Sequence, residues 1–243
     1  MLFQFFDLDQ LTRDPMTFFL NLLFGLVIGG SAILVAITIH EFCHALASNY
    51  LGDPTARRLG RVSLNPLVHL DPLGTLFLIL AGFGWGKPVP VNGYALRGGL
   101  IKGMAMVSAS GPLSNLSLAA VLALAVRFGL FNFVETGPYA LEVFLKAWVQ
   151  TLISINLVLA VFNMIPVAPL DGFKVAVGIL PRELAIPLAR TEQYGMGILL
   201  VLVISDQIFR IGILSFVLGP IVNGLFRLFL GSTGAVFLAR MSS

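Results

Sequence analysis

The sequence predicts an all-α polytopic membrane protein, with about five transmembrane helices and a re-entrant or membrane-edge β segment near residues 73–92. Three observations carry this expectation. Of 243 residues, 57% are hydrophobic and only 11% charged, where a soluble domain carries about a quarter charged residues. Mean hydropathy is +0.94. Residues 15–39, 103–126 and 147–170 carry no charge, and each run is long enough to cross a bilayer, for which about 20 apolar residues suffice. No stretch is polar enough to form a soluble domain, so residues 1–243 read as one membrane-embedded unit. Its core covers about 16–180, followed by a helical hairpin at about 193–230. The formal net charge of +3 is too small and too scattered to suggest nucleic acid, and the expected surroundings are the lipid bilayer. Cys43 is the only cysteine, which excludes an intramolecular disulfide.

Taken in order, residues 1–14 form a short amphipathic lead, with Phe3, Phe5 and Phe6 suited to the interface. Acidic residues stand where a cleaved signal would carry basic ones, so no processing site is expected. Pro15 suits a helix start, and the first helix is expected over about 16–50, ended by Gly52-Asp53-Pro54. Gly25, Gly29 and Gly30 suit close helix contact. Residues 51–72 are the most polar part of the chain. Residues 73–86 are uncharged but short for a span, and the prolines of KPVPVN (87–92) exclude a helix there, hence the re-entrant or strand-like expectation. The second span, 103–126, carries a small polar face of Ser108, Ser110, Gly111, Pro112, Ser114 and Asn115, the kind that usually packs helices. A loop at 131–142 carries Glu135 and Glu142. The third span, about 143–165, is broken by Pro166 and Pro169, and Asp171 emerges at the break before Gly172, which allows a sharp turn. Residues 174–192 suit an amphipathic surface helix, and apolar runs at 193–205 and 211–226 suit the last two spans, with Asp206 and Arg210 spaced to pair across one helical turn.

Basic residues set the expected orientation. Arg57, Arg58, Arg61, Lys87, Arg97 and Lys102 cluster in 51–102, whereas 131–142 has no lysine or arginine. By the positive-inside rule the end of the first helix faces the cytoplasm and the N-terminus lies outside. Five spans then put the C-terminus in the cytoplasm.

The chemistry concentrates in Ile39-His40-Glu41-Phe42-Cys43-His44-Ala45. On a helix, His40 and His44 project from nearly one face. Two neutral imidazoles so placed can grip one zinc ion, with Glu41 beside them as a base. The bland alternative is a pair of core or interfacial histidines beside a salt-bridged glutamate. An ionisable cluster following a membrane's length of apolar helix is, however, costly and by default functional. Catalytic zinc takes three protein ligands, and the remaining candidates are His69, Asp71, Cys43 and Asp171. Cys43 lies on the wrong side of His40, and His69 and Asp71 lie in the polar loop. Asp171 combines the right side, the right depth and a broken helix.

These residues resemble the site-2 protease family of intramembrane zinc metalloproteases. HEFCHA, then NPLVHLDPLGT, GWGKPVPVN, GPLSN and NMIPVAPLDG, carry the likeness in this order across roughly residues 30–180. The resemblance implies His40, His44 and Asp171 as zinc ligands and Glu41 as catalytic base. It also implies Asn115, Asn163 and Pro166 as supports for a substrate strand, and a transmembrane protein or peptide as substrate. It looks like a compact form without PDZ-like or CBS-like segments, so substrate choice is expected to rest with the membrane core or a partner. A bacterial or archaeal cell membrane is the expected location. A catalytically inactive scaffold of the same fold, a zinc transporter and another HExxH protease class are the rival readings.

Overall fold

The computed structural model describes residues 13–81, 84–130, 139–209 and 212–231. The amphipathic lead over 1–12, the 131–138 part of the expected loop and Arg210 lie outside the described residues.

Helix α1 runs Pro15–Tyr50. Asp14 caps it by accepting the Thr17 N–H at 3.2 Å, with Pro15 in the first turn, where a missing N–H is harmless. It ends where the Leu51 N–H bonds Ala47 O at 2.9 Å and Gly52 takes φ +109°, a conformation open to glycine. Its first half exposes Phe19, Leu20, Leu23, Leu26 and Val27, a face suited to lipid. Its second half is buried through Ala32, Ala36, His40, His44, Ala45 and Ser48.

A short helix α2 (Thr55–Arg58) follows, then α3 (Pro72–Ala81), α4 (Gly99–Arg127), α5 (Tyr139–Asn163), α6 (Asp171–Ile179), α7 (Arg182–Arg190), α8 (Glu192–Phe209) and α9 (Ile213–Leu230). Helices α1, α4, α5 (Leu141–Asn163) and α9 are long and apolar enough to cross a membrane. Ala119, Ala123, Val149, Ile153, Leu157, Val222, Phe226 and Leu230 form the main apolar cluster, where α4, α5 and α9 meet.

Two expectations are corrected here. The first concerns residues 73–92. The first part is helical: Asp71 Oδ1 accepts the Gly74 N–H at 2.8 Å and its carbonyl accepts the Thr75 N–H at 2.8 Å, which starts α3, with Pro72 in the first turn where a missing N–H is harmless. The return is extended, and among the described residues no strand forms, so the β part of the expectation finds no ladder. Leu70 and Gly86 make one isolated antiparallel bridge. Gly74 admits the returning chain, since a Cβ there would sit 2.1 Å from Trp85 O.

The second concerns the count of about five spans: among the described residues four helices are long and apolar enough to cross a membrane, and α8 is not one of them. Helix α8 carries Glu192 and Asp206 and packs against the segment that leads to Asp171. Gly195 packs on Ala168, while Leu199 and Val203 pack on Leu170. Helix α9 starts there, with Leu214 on this cluster and the Ile213 N–H bonded to Asp206 Oδ1 at 2.5 Å. It finishes at the other end of the bundle, where Arg127 Nη1 donates to Leu228 O at 3.4 Å. The start of α1 is at that end too, because Phe24 meets Phe144 near the start of α5 (centroids 6.1 Å apart). The start of α1 and the end of α9 therefore lie at the same end of the bundle.

Candidate metal centre

His40 and His44 sit one turn apart on the buried face of α1, and α4 and the start of α6 close over them. His40 Nε2 lies 3.0 Å from Asp171 Oδ2, His44 Nε2 lies 3.1 Å from the same oxygen, and the two Nε2 atoms are 3.1 Å apart. These three residues form a group able to hold one metal ion.

The other ring nitrogens decide what this triangle is. His40 Nδ1 is 2.6 Å from Asn115 Oδ1. Asn115 spends its amide N–H groups on Ala36 O at 3.0 Å and Asn156 Oδ1 at 2.7 Å, so its oxygen is left to accept. His44 Nδ1 is 2.8 Å from the Val107 carbonyl, which can only accept. Each imidazole therefore carries its proton on Nδ1 and turns a bare Nε2 lone pair inward. With neutral imidazoles, two lone pairs and a carboxylate oxygen converge, an arrangement that suits a bound cation. Ligand atoms around a tetrahedral zinc stand roughly 3.3 Å apart, from bonds of about 2.0–2.1 Å. The residues fit the ion.

Close approach depends on glycine. A Cβ at Gly111 would sit 2.3 Å from His44 Nε2 and 2.7 Å from His40 Cε1, so α4 reaches the imidazoles only because residue 111 has no side chain. Gly172 plays the same part for Asp171: a Cβ there would meet the Met164 carbonyl at 2.3 Å and Ile165 O at 2.7 Å. The sharp turn expected of Gly172 is not its contribution, since it lies within the first turn of α6.

Glu41 is half-buried beside the triangle. Gly86 lies against it, where a Cβ would come within 3.3 Å of Glu41 Oε1 and 3.1 Å of Ile37 Cγ2. His69 is fully buried elsewhere in the loop, its Nε2 2.7 Å from Ser63 O and its Nδ1 without a partner. Asp71 caps α3, and Cys43 is a half-buried free thiol. Asn115 is fully buried and touches His40. Asn163 Nδ2 donates to Leu159 O at 3.0 Å within its own helix, and Pro166 follows in the segment leading to Asp171. The sequence singled out the polar face of α4 but not that Val107, Gly111 and Asn115 would meet the histidines. The signal was the GPLSN run, whose small residues permit contact without saying with what.

The centre is embedded along the helices. Asn115 is about 24 Å along α4, whose full length is about 42 Å at the usual rise per residue. His40 is about 38 Å from the start of α1.

No family model matches the chain, and neither does any solved structure. Curated relatives do. The chain is 36% identical over 195 residues to a Bacillus subtilis protein named "Putative zinc metalloprotease YwhC", covering 79% of this chain and 84% of that one. It is 31% identical over 191 residues to Rip2 of Mycobacterium tuberculosis, which bears the same description, covering 76% of this chain and 69% of Rip2. Rip2 of Mycolicibacterium smegmatis is likewise 31% identical, over 190 residues. With a His-His-Asp cluster built for a cation and this degree of likeness, the chain belongs to the zinc metalloprotease family of YwhC and Rip2.

Proposed function

We propose that this protein is an intramembrane zinc metalloprotease of the site-2 type, hydrolysing peptide bonds in or near transmembrane segments of membrane-protein substrates. The observation that carries the reading is the level of the centre. Asn115 and Gly111, which embrace the histidines, lie near the middle of a helix long and apolar enough to cross a bilayer.

His40, His44 and Asp171 would hold the ion, which when bound would supply an activated water and Lewis-acid polarisation of a carbonyl. Glu41 accepts the proton of the attacking water on its carboxylate and returns it to the departing amine nitrogen. Asn115 acts through His40, by keeping its Nδ1 protonated and its ring fixed. Asn163 and Pro166, where α5 gives way to the Asp171 segment, are the proposed supports for a substrate unwound from its helix. The basic residues of 51–102 favour a cytoplasm-facing centre in a cell membrane.

Glu41→Gln tests this. Purified in detergent, the variant is expected to keep one zinc per chain and to lose cleavage of a model transmembrane substrate by at least about 100-fold. Undiminished cleavage by the zinc-loaded variant would exclude Glu41 as the base. Cleavage confined to soluble peptides, with every transmembrane substrate spared, would exclude the intramembrane reading.

A further inference from the structure

Arg61 is a buried cation that the chemistry above leaves unused. It lies in the loop after α1, is 5% exposed, and faces inward. Its Nη2 donates to the Lys87 carbonyl and its Nη1 to the Pro88 carbonyl at 3.3 Å. Its Nε is buried without a partner. Burying a guanidinium for two backbone acceptors is costly unless the clamp it makes matters. Burial holds its pKa below the ordinary value, and the charge of Glu41 works in the opposite direction.

What Arg61 holds is the strap that walls the site. The strap is tied at one end by the Leu70–Gly86 bridge and the Lys87 N–H to His69 O bond at 2.8 Å. At the other end the Asn92 N–H reaches Asp53 Oδ2 at 2.7 Å and the Arg97 N–H reaches Leu51 O at 2.7 Å. Between them, Pro88 and Pro90 have no N–H, so a strand ladder cannot fasten the middle. A forked guanidinium can, because it binds two neighbouring carbonyls in one plane. The residue next to the clamped pair is Gly86, which abuts Glu41.

We propose that Arg61 is a positioning residue for the hydrolysis: by clamping the Lys87 and Pro88 carbonyls it fixes the Gly86 wall against Glu41 and holds that carboxylate where it can handle the proton. The proposal rests on Glu41 being the base. It assigns Arg61 no contact with the metal ligands, so its loss acts on turnover and leaves metal binding alone.

The test compares wild type, Glu41→Gln, Arg61→Lys, Arg61→Met and Gly86→Ala in detergent. Bound zinc is measured, together with kcat and KM on an unstructured fluorogenic peptide, which reads metalloprotease chemistry whatever the natural substrate. Arg61→Met is expected to keep wild-type zinc and KM while kcat falls about 100-fold, the scale for a catalytic group displaced by an ångström. Arg61→Lys is expected to recover part of the loss. Gly86→Ala, with the clamp intact but Glu41 pushed, is expected to lose kcat in the same way. Should Arg61→Met fail to fold, Arg61→Lys and Gly86→Ala carry the comparison. Unchanged kcat in the zinc-loaded Arg61 variants overturns the proposal, as does a fall in activity that only tracks lost zinc. An active Glu41→Gln would overturn the base assignment, and the proposal with it. An inactive Glu41→Gln beside fully active Arg61 variants would overturn the proposal alone.

Discussion

The two halves of α1 are built on opposite rules. From Pro15 to about Ile28 the helix shows lipid a face of Phe19, Leu20, Leu23, Leu26 and Val27, and few of its residues are buried. From Ala32 to Ser48 it has a buried face, whose polar groups are matched: His40 with Asn115, His44 with Val107 O, Ser48 with Asp53. Lipid tails are as apolar as leucine, so apolar contact adds little that the membrane does not already give. A polar group inside the bundle has no water to fall back on and must be paired. Specificity in this molecule therefore sits in hydrogen bonds and glycine contacts at one end, and plain hydrophobicity suffices at the other.

Substitutions can break that contrast, starting with the largest effect. Gly111→Leu is expected to abolish zinc binding and activity together, because even a Cβ would overlap the His44 ring. Metal content measured beside circular dichroism checks it, and a zinc-replete Gly111→Leu protein would mean that α4 is not seated on the histidines. Asn115→Ala is expected to weaken zinc affinity by about 10–100-fold, the usual consequence of losing a group that orients a ligand imidazole. Competition with a chelator of known affinity measures it.

A smaller effect is expected at Asp53, which anchors the loop after α1. Burial alone would raise its pKa, but hydrogen bonds from Thr55, Asn92 and Ser48 outweigh this and hold it below the ordinary carboxylate value. A lowered folded-state pKa contributes stability above the unfolded pKa of about 4 and loses it as pH falls through the folded value. Asp53→Asn should therefore lower stability at pH 7 by about 1–3 kcal/mol and flatten its decline in acid, as melting in detergent across pH would show. The smallest effect is expected at Leu23, 59% exposed on the lipid-facing half. Leu23→Ala should stay within about 0.5 kcal/mol of wild type, and a larger loss would mean that this half carries a specific contact.

The metal residues were legible because local spacing encodes them. His40 and His44 share a face by helix geometry alone, and Asp171 announces itself as a charge after a long uncharged run with prolines. What was not legible depends on distant segments meeting. Nothing in the sequence says that Gly111 faces imidazoles, that Arg61 reaches two carbonyls 26 and 27 residues later, or that Gly172 serves close packing. Two local differences from the expectation have the same root. The apolar run in α8 reads as a span because hydropathy ignores that Gly195, Leu199 and Val203 pack on Ala168 and Leu170. Residues 73–86 are short for a span, but a helix that need not cross the membrane can be shorter, and Pro72–Ala81 forms one.

The ligand set is the central claim, and metal retention tests it most directly. Asp171→Ala and His69→Ala are purified in parallel and their bound zinc counted after dialysis against chelator. Asp171→Ala should lose the ion, because one of the three atoms spaced 3.0–3.1 Å apart is gone. His69→Ala should keep it, because the His69 ring bonds Ser63 O and stands outside the cluster. Zinc lost from His69→Ala and retained by Asp171→Ala would contradict the account.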